Sequence, residues 1–293
     1  MPTAVSLDLL YREFYLPRKL LGVTDSTREK YRISLSHFAR FLGHSPTVED
    51  LDDDIVSSFP HWLVKQGLAP ETANSYQSKI AALWDYLGRK RKAPDRPAIT
   101  SVRAPRKKPV GWNHEELSRL FRACGEVPGL ICDIPARLWW VAIHEVARET
   151  GERIGAILKL RWDDFDPETR ILTRRAETRK GRTEDMVSRL SIETTATLAL
   201  IRYPERDLIF PWEKHRSSIW NNYNSILKSA GLPMDRKRKF HCIRKTSASE
   251  VASLGGDPQR FLGHFDQATT RSYLVPEIVN QIFDGDRFTR VKD

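Results

Sequence analysis

Apolar residues recur at helical spacing through the first third of the chain. In residues 26–42 they fall every three or four positions, so they line one face of a helix. Ser26 or Thr27 is placed to cap the start of this helix. Further helices are predicted over residues 48–59, ending before Pro60, over residues 61–66, and from Pro70 onward.

The second half of the chain mixes helical and alternating patterns. The apolar segment 137–151 predicts a buried helix that Gly151 ends, and His144 within it is predicted to be a core histidine. Residues 170–175 and 186–191 alternate in polarity, which is typical of a β-hairpin. Additional helices are predicted at residues 115–124, from Arg153, at 192–202 and at 217–230.

The stretch after residue 240 predicts three short helices. The first starts at His241, and the last carries Tyr273. The residues that end, cap or open these helices are Gly255, Gly256, Asp257, Pro258, Gly263 and Asp266. Because these turns are closely spaced, we expect side chains from the separate helices to lie near one pocket.

Together these patterns predict a mainly α protein with a small β-sheet. The length of 293 residues allows one large or two ordinary domains. We place a helical domain at residues 1–88, a basic linker that contains prolines at 89–110, and a second domain at 111–293.

The predicted linker holds most of the net charge of the chain. Residues 89–109 contain nine basic residues, one acidic residue and four prolines, a charge of +8 out of a total of +10. A run of this kind is commonly a solvated, disordered segment, but between two folded domains it can follow a phosphate backbone. The candidate DNA-binding residues, in this run and just before His241, are Arg89, Lys90, Arg91, Lys92, Arg106, Lys107, Lys108, Arg236, Lys237 and Arg238.

The overall composition favours a polyanionic partner. A pI near 9.6 fits nucleic acid or an anionic membrane surface. No apolar run is long enough to span a membrane, and early charged residues are unlike a signal peptide. We therefore expect a cytoplasmic protein without membrane contact, associated with the nucleoid if its source is prokaryotic. Three widely spaced cysteines and the lack of an acidic cluster predict neither a disulfide framework nor a metal or other cofactor.

Four residues after position 240 suit one reaction. His241 and Arg244 are three positions apart and leave the same face of a helix, while His264 and Tyr273 lie near the following breaks. A histidine, arginine or tyrosine found alone in such a position is more often structural than catalytic. Their ordered combination is much rarer by chance.

The order of motifs resembles the tyrosine recombinase, or phage integrase, family. The matching motifs are T-G-x-R at residues 150–153, L-x-W-x-D at 160–164, H-x-I-R-K-T at 241–246, L-G-H at 262–264 and the tyrosine nine positions later. Residues 28–42 and 69–87 also look like the helical core-binding domain of that family. The resemblance implies a core-binding domain followed by an α+β catalytic domain, and it covers nearly the whole chain.

The resemblance implies DNA strand cleavage by a tyrosine. Tyr273 would attack a phosphodiester and form a 3′-phosphotyrosyl bond. Arg153 and Arg244 would bind the phosphoryl oxygens with planar, paired donors. Because arginines supply the charge compensation, this chemistry needs no metal.

The resemblance also implies roles for three more residues in proton transfer and phosphate binding. His241 would assist proton transfer at the nucleophile, His264 would hydrogen-bond the scissile phosphate, and Lys180 in the hairpin turn would act as the general acid.

Two positions depart from the family pattern. Ala156 stands where an acidic residue is usual, so support for Arg153 is expected to be absent or to come from elsewhere. The usual spacing from Arg153 to the active-site lysine ends near Glu177, whereas Lys180 follows a few residues later. If Glu177 occupies that place, cleavage should be slow or absent.

The sequence therefore predicts a site-specific DNA recombinase that works on double-stranded DNA as a homotetramer on two sites. After Tyr273, the apolar residues Ile278, Val279, Ile282 and Phe283 fall at helical spacing, which fits a helix packed on its own domain. The resemblance implies instead a helix exchanged with a neighbouring subunit. The alternatives are a non-catalytic DNA-binding regulator, a type IB topoisomerase-like nicking-closing enzyme and a metal-dependent nuclease. The DNA target, the choice among integration, transposition, resolution and inversion, and the need for an accessory DNA-bending or directionality protein remain open.

Overall fold

The computed structural model describes residues 5–23, 25–105, 107–179, 184–235 and 238–279. The chain divides into two compact units, residues 1–106 and 107–293. Each unit has its own apolar core, as expected of separate domains. The boundaries predicted at residues 88 and 110 stay predictions.

The described part of the first unit is helical. A π-helical segment, Tyr11–Tyr15, joins the first two helices, and a 3₁₀ turn, Val48–Asp50, precedes the fourth. The helices are α1 (Leu7–Leu10), α2 (Leu16–Lys19), α3 (Asp25–Leu42), α4 (Asp53–Lys65) and α5 (Pro70–Arg89).

The predicted helix starts in this unit have different outcomes. Pro70 is the first residue of α5, where its missing N–H costs nothing. The predicted cap of α3 is wrong, because the helix already begins at Asp25 and places Ser26 and Thr27 inside its first turn.

The predicted break at Pro60 is also wrong. One helix, α4, runs through this proline. Phe59 and Leu63 are fully buried on its inner face, and α4 packs against α5. Tertiary packing therefore outweighs the one backbone hydrogen bond that proline removes.

Side chains of α5 hold the first part of the predicted linker. Asn74 exchanges two hydrogen bonds with the backbone of Val102, at 2.7 and 3.0 Å. The amide of Gln77 donates to the carbonyls of Val56 and Thr100 at 3.0 and 2.6 Å, and it accepts from the hydroxyl of Ser101. Residues 100–102 are therefore attached to the first unit.

The second unit consists of helices and two small antiparallel sheets. Its first half contains α6 (His114–Gly125), β1 (Leu130–Ile131), β2 (Ile134–Pro135), α7 (Ala136–Thr150), α8 (Ile154–Ile157), β3 (Phe165–Asp166) and β4 (Ile171–Arg174). Its second half contains β5 (Met186–Arg189), α9 (Ile192–Leu200), α10 (Arg216–Ser229), α11 (His241–Ser253), α12 (Pro258–Leu262) and α13 (Gln267–Arg271).

Helix α7 lies at the centre of this unit. It packs against α6, α9 and α11, and Trp139 and Trp140 on it are fully buried. His144 is also fully buried, and its Nδ1 lies 2.6 Å from the carbonyl of Trp140. The prediction of a core histidine is confirmed. The helix ends, as predicted, at Gly151.

The predicted hairpin is formed by β4 and β5. Ile171 pairs with Arg189, and Arg174 pairs with Met186. The sequence did not predict β3, whose two residues add a third strand next to β4. Strands this short carry too few residues for an alternating pattern.

The predicted fold class is confirmed: a mainly helical protein with small antiparallel sheets. Among the residues that the structure describes, no helix has the length and apolar character that a membrane span requires.

We predict that Gln77→Ala loosens residues 94–102 from the first unit. The side chain is almost fully buried, and its loss removes three hydrogen bonds, which should lower the free energy of unfolding by about 1–3 kcal/mol. Trypsin should then cut the basic run faster, as followed by mass spectrometry. The exposed Gln66→Ala serves as the control, and equal digestion rates for the two variants would contradict this attachment.

Candidate active site

The buried side chain of Arg244 connects separate parts of the second unit. Arg244 lies one turn after His241 on α11 and is 1% exposed. Its guanidinium donates to the carbonyl of Gly151, after α7, and to the carbonyl of Leu262, at the end of α12, at 3.1 Å for the latter. One predicted site residue is therefore fixed by two chain turns far apart in sequence.

His264 is the next neighbour of Arg244. Its Nε2 lies 3.0 Å from Nη2 of Arg244, and its Nδ1 lies 3.1 Å from the hydroxyl of Thr270. Because a guanidinium has no acceptor, Nε2 of His264 must accept this hydrogen bond. A neutral His264 ring therefore carries its proton on Nδ1, which donates to Thr270.

Two glycine turns allow this close packing around Arg244. Gly151 and Gly263 both adopt positive φ, +60° and +59°. A Cβ at Gly151 would lie 2.5 Å from the ring of Phe261, and one at Gly263 would lie 2.9 Å from a guanidinium nitrogen of Arg179. Both turns therefore require glycine for backbone conformation and for space.

Tyr273 lies just beyond the helix that was predicted to carry it. Helix α13 is capped by Asp266 and ends at Arg271, and the N–H of Tyr273 closes a turn on the carbonyl of Thr270 at 2.8 Å. The hydroxyl of Ser249 on α11 accepts the N–H of Val275, two residues after Tyr273, at 2.8 Å. This contact directs the chain away from the helix axis.

The ring of Tyr273 lies between the two predicted histidines. Its centroid is 5.1 Å from that of His241 and 4.8 Å from that of His264, in edge-to-face arrangements. The central carbon of the Arg244 guanidinium is 5.4 Å from the same ring. The structure thus brings together four of the six predicted catalytic side chains: the half-buried Tyr273 and the three that surround its ring.

His241 is held in its neutral form. Partial desolvation, followed by the positive charges of Arg244, Lys245 and Arg153, lowers its pKa from 6.5 to about 4. Since the residue keeps an exposed edge, desolvation is incomplete and the nearby cations reinforce the shift. A neutral imidazole beside Tyr273 can accept a proton at neutral pH.

Arg153 belongs to the same electrostatic neighbourhood. It precedes α8 as its N-cap residue, and its charge lowers the pKa of both His241 and Arg244. Burial is the largest cause of the lowered pKa of Arg244, about 10, while Glu152 and Tyr273 oppose the shift. Arg244 therefore remains charged at neutral pH.

The sequence did not identify a buried carboxylate next to Arg153. Glu152 is 2% exposed and lies 2.7 Å from Nε of Arg179 and 3.6 Å from Nη1 of Arg174. Arg174 occupies a buried position of β4, which was the available signal, since an arginine on the inner face of a strand requires a partner. Ala156, where the family pattern has an acidic residue, is buried.

Lys180 lies outside the described residues. Glu177, which the usual spacing places near the lysine position, has a side chain that is 76% exposed and 4.0 Å from Arg175. It is therefore directed to solvent, whereas Arg179, immediately before Lys180, turns inward to Glu152.

The candidate DNA-binding residues have varied surroundings. Arg89 to Lys92, Lys107 and Lys108 are exposed, although Lys108 forms an ion pair with Glu277. Arg238 is half-buried and lies 3.4 Å from Asp235, while Arg106, Arg236 and Lys237 lie outside the described residues. Within the described ranges, no cluster of three or more His, Cys, Asp or Glu side chains could hold a metal ion.

We predict that His241 titrates far below an ordinary histidine in the protein without DNA. Its folded pKa of about 4 lies below the unfolded value of about 6.5. The stability that neutral His241 contributes is therefore present above pH 6.5 and is lost as the pH falls towards 4. NMR titration, with His241→Asn to assign the ring signals, should show a midpoint near pH 4, and a midpoint near 6.5 would contradict this environment.

Comparisons with known proteins agree over both units. Residues 112–277 match the Phage integrase family, and residues 10–97 match the Phage integrase SAM-like domain. Tyrosine recombinase XerD of Shewanella oneidensis is 23% identical over 267 residues, which cover 86% of each chain.

Solved structures share the fold at lower identity. The Tn1549 transposon integrase in complex with a circular intermediate DNA has a TM-score of 0.74 at 12% identity, covering 92% of this chain and 95% of that one. A lambda integrase tetramer bound to a Holliday junction has a TM-score of 0.72 at 16% identity, covering 93% of this chain and 78% of that one. The chain belongs to the phage integrase family of tyrosine recombinases, which confirms the prediction of a site-specific recombinase that cleaves and rejoins DNA.

Proposed function

We propose that Tyr273 is the nucleophile of strand cleavage. Its phenolic oxygen attacks the phosphorus of a DNA phosphodiester, a bond forms to the 3′ phosphate, and the bond to the 5′ oxygen breaks. The phenolic proton leaves to a base, and the departing 5′ oxygen takes up a proton from an acid. Attack by a 5′ hydroxyl on the phosphotyrosyl bond reverses these steps and rejoins a strand without an external energy source.

The observation that carries this proposal is the surroundings of the Tyr273 ring. Two imidazoles lie edge-to-face with it, at 4.8 and 5.1 Å, and a buried guanidinium lies 5.4 Å away. A nucleophile with an unperturbed pKa of about 10 needs a nearby proton acceptor and an anion-binding group, and both are present.

Arg153 and Arg244 are proposed to bind the non-bridging phosphate oxygens. The site is strongly cationic, since these arginines lie close enough for one charge to lower the pKa of the other. The Nε of Arg244 is buried and has no hydrogen-bond acceptor among the described residues, so one N–H donor of this guanidinium is unsatisfied. A preorganised donor of this type contributes about 3–4 kcal/mol to the transition state.

Three residues are proposed to move or hold protons. Neutral His241 accepts the proton of Tyr273, and Lys180 donates one to the 5′ oxygen. For His264 to donate to the phosphate, its Nε2 must carry a proton. The hydrogen bond that it now accepts from Arg244 must therefore be exchanged when DNA binds.

Double-stranded DNA is the proposed partner, bound by a homotetramer on two sites. The charge of +8 in residues 89–109 supports phosphate contacts, whose affinity falls as counterions are added. The lambda integrase tetramer on a Holliday junction supports the assembly. The proposed exchange helix falls mainly on residues 280 onward, which lie outside the described residues. An accessory DNA-bending or directionality protein is a further proposal, for which no contact is described.

We predict that a covalent adduct forms through Tyr273 alone. The protein is incubated in EDTA with nicked duplexes taken from the DNA that flanks its gene, and SDS-resistant adducts are separated by electrophoresis. Wild type should form an adduct, and Tyr273→Phe should form none because it lacks the attacking oxygen.

The matched control is Tyr203→Phe. Tyr203 lies in the same unit, and its hydroxyl donates to the carbonyl of Asp133. This variant should form the adduct as wild type does. An adduct that persists in Tyr273→Phe, or wild-type protein that binds a duplex tightly without forming one, would contradict the proposed nucleophile.

A further inference from the structure

Among the residues that the structure describes, Glu152 is the carboxylate that pairs with a buried cluster of arginines. Arg174, Arg179 and Arg244 surround it, and the relative exposure of these four residues lies between 1% and 5%. Buried charges are stable only when they are paired and hydrogen-bonded. The cluster therefore depends on the single negative charge of Glu152.

The two oxygens of Glu152 face different parts of the site. Oε2 lies 2.7 Å from Nε of Arg179 and 3.6 Å from Nη1 of Arg174, so it holds the hairpin. Oε1 accepts the backbone N–H of Arg153 at 3.0 Å and lies 3.8 Å from Nη1 of Arg244. The same carboxylate thus joins the hairpin to both arginines proposed to bind phosphate.

The electrostatics agree with a permanently ionised carboxylate. Burial alone would raise the pKa of Glu152, but the hydrogen bond from the N–H of Arg153 and the charges of Arg179 and Arg244 outweigh it and lower the pKa. The carboxylate keeps its charge at neutral pH. The cluster retains excess positive charge, which suits an anionic phosphate nearby.

The contacts of Arg179 extend this arrangement to the hairpin. Besides Glu152, Arg179 lies 2.8 Å from the sulfur of Met186, the first residue of β5, and 3.5 Å from the carbonyl of Glu184. It is also the residue immediately before Lys180. A shift of Arg179 would therefore move the residue that directly precedes the proposed general acid in the sequence.

We propose that Glu152 is a positioning residue for strand cleavage. It sets Arg153 and Arg244 for phosphate binding and, through Arg179, fixes the hairpin next to Lys180. It supplies the carboxylate that Ala156 lacks. This inference rests on the proposed function, and it assigns Glu152 an effect exerted through the arginines that it contacts.

The test compares Glu152→Gln, which removes the charge, with Glu152→Asp, which keeps it. Rates of adduct formation are measured on a nicked duplex under single-turnover conditions, and affinity for the same duplex is measured by fluorescence anisotropy. Glu152→Gln should slow cleavage by roughly 10- to 100-fold, because a misplacement of about 1 Å is enough for such a loss. Its affinity for DNA should change little, and Glu152→Asp should recover part of the rate.

The matched control is Glu250→Gln. Glu250 lies on α11 and pairs with Arg148 at 3.4 Å, away from the arginine cluster. It should cleave at the wild-type rate. Thermal unfolding of every variant separates a loss of cleavage from a loss of folded protein.

Arg179→Gln provides a second route if Glu152→Gln does not fold. It removes one excess positive charge and breaks the link to the hairpin, so cleavage should slow while DNA affinity is retained. Wild-type rates in this variant or in folded Glu152→Gln would overturn the inference. An equal loss of binding and cleavage would also overturn it, because that result indicates a purely structural role.

The two proposals fail in different ways. An adduct in wild type that is absent from Tyr273→Phe supports the nucleophile whatever Glu152 does. A normal rate in Glu152→Gln would then remove only the positioning role.

Discussion

The pairing of buried arginines with a single buried carboxylate is the constraint on which the site depends. Glu152 and the carbonyls of Gly151 and Leu262 offset the desolvation of the charged Arg244 in the interior. These partners come from the turn after α7 and from the end of α12. The hydrogen bonds of the Arg244 guanidinium therefore hold these two distant segments together. The ring of Tyr273 lies 5.4 Å from the same guanidinium.

The same arrangement controls the chemistry of the neighbours. His241 lies beside Arg244, and desolvation, followed by the positive charges of Arg244, Lys245 and Arg153, disfavours its protonated form. His264 is constrained in another way, because Arg244 can only donate and so defines which ring nitrogen carries the proton. The pKa of His241 and the tautomer of His264 thus both depend on the buried Arg244.

Local sequence signals predicted the parts of the fold that local physics decides. Asp257, Pro258 and Gly263 cap, open and end α12 as their residue types require, and His241 begins α11. The predicted helix break at Pro60 was wrong because the buried face of α4 continues across this residue, and tertiary packing outweighs the local preference. The prediction that Tyr273 lies on a helix was wrong. The hydrogen bond between Val275 and Ser249, which follows Tyr273, joins residues 26 positions apart, so no local pattern could show it.

The candidate site was predicted through side chains with recognisable chemistry, and its supporting residues were missed. Glu152 precedes Arg153 and resembles any charged residue at a helix start. Its role depends on Arg174 and Arg179 reaching it from the hairpin, and the inner-face position of Arg174 on β4 was the local signal for that contact. Ala156 was an indirect signal, since it left two alternatives for Arg153: no supporting carboxylate, or one from another position.

The most direct measurement is a crystal structure of the protein covalently trapped on a nicked duplex. The account predicts a bond from Tyr273 to the 3′ phosphate, with guanidinium nitrogens of Arg153 and Arg244 about 3 Å from its non-bridging oxygens. Glu152 should still pair with Arg179. A phosphate bound to another tyrosine, or one that Arg153 and Arg244 do not contact, would contradict it.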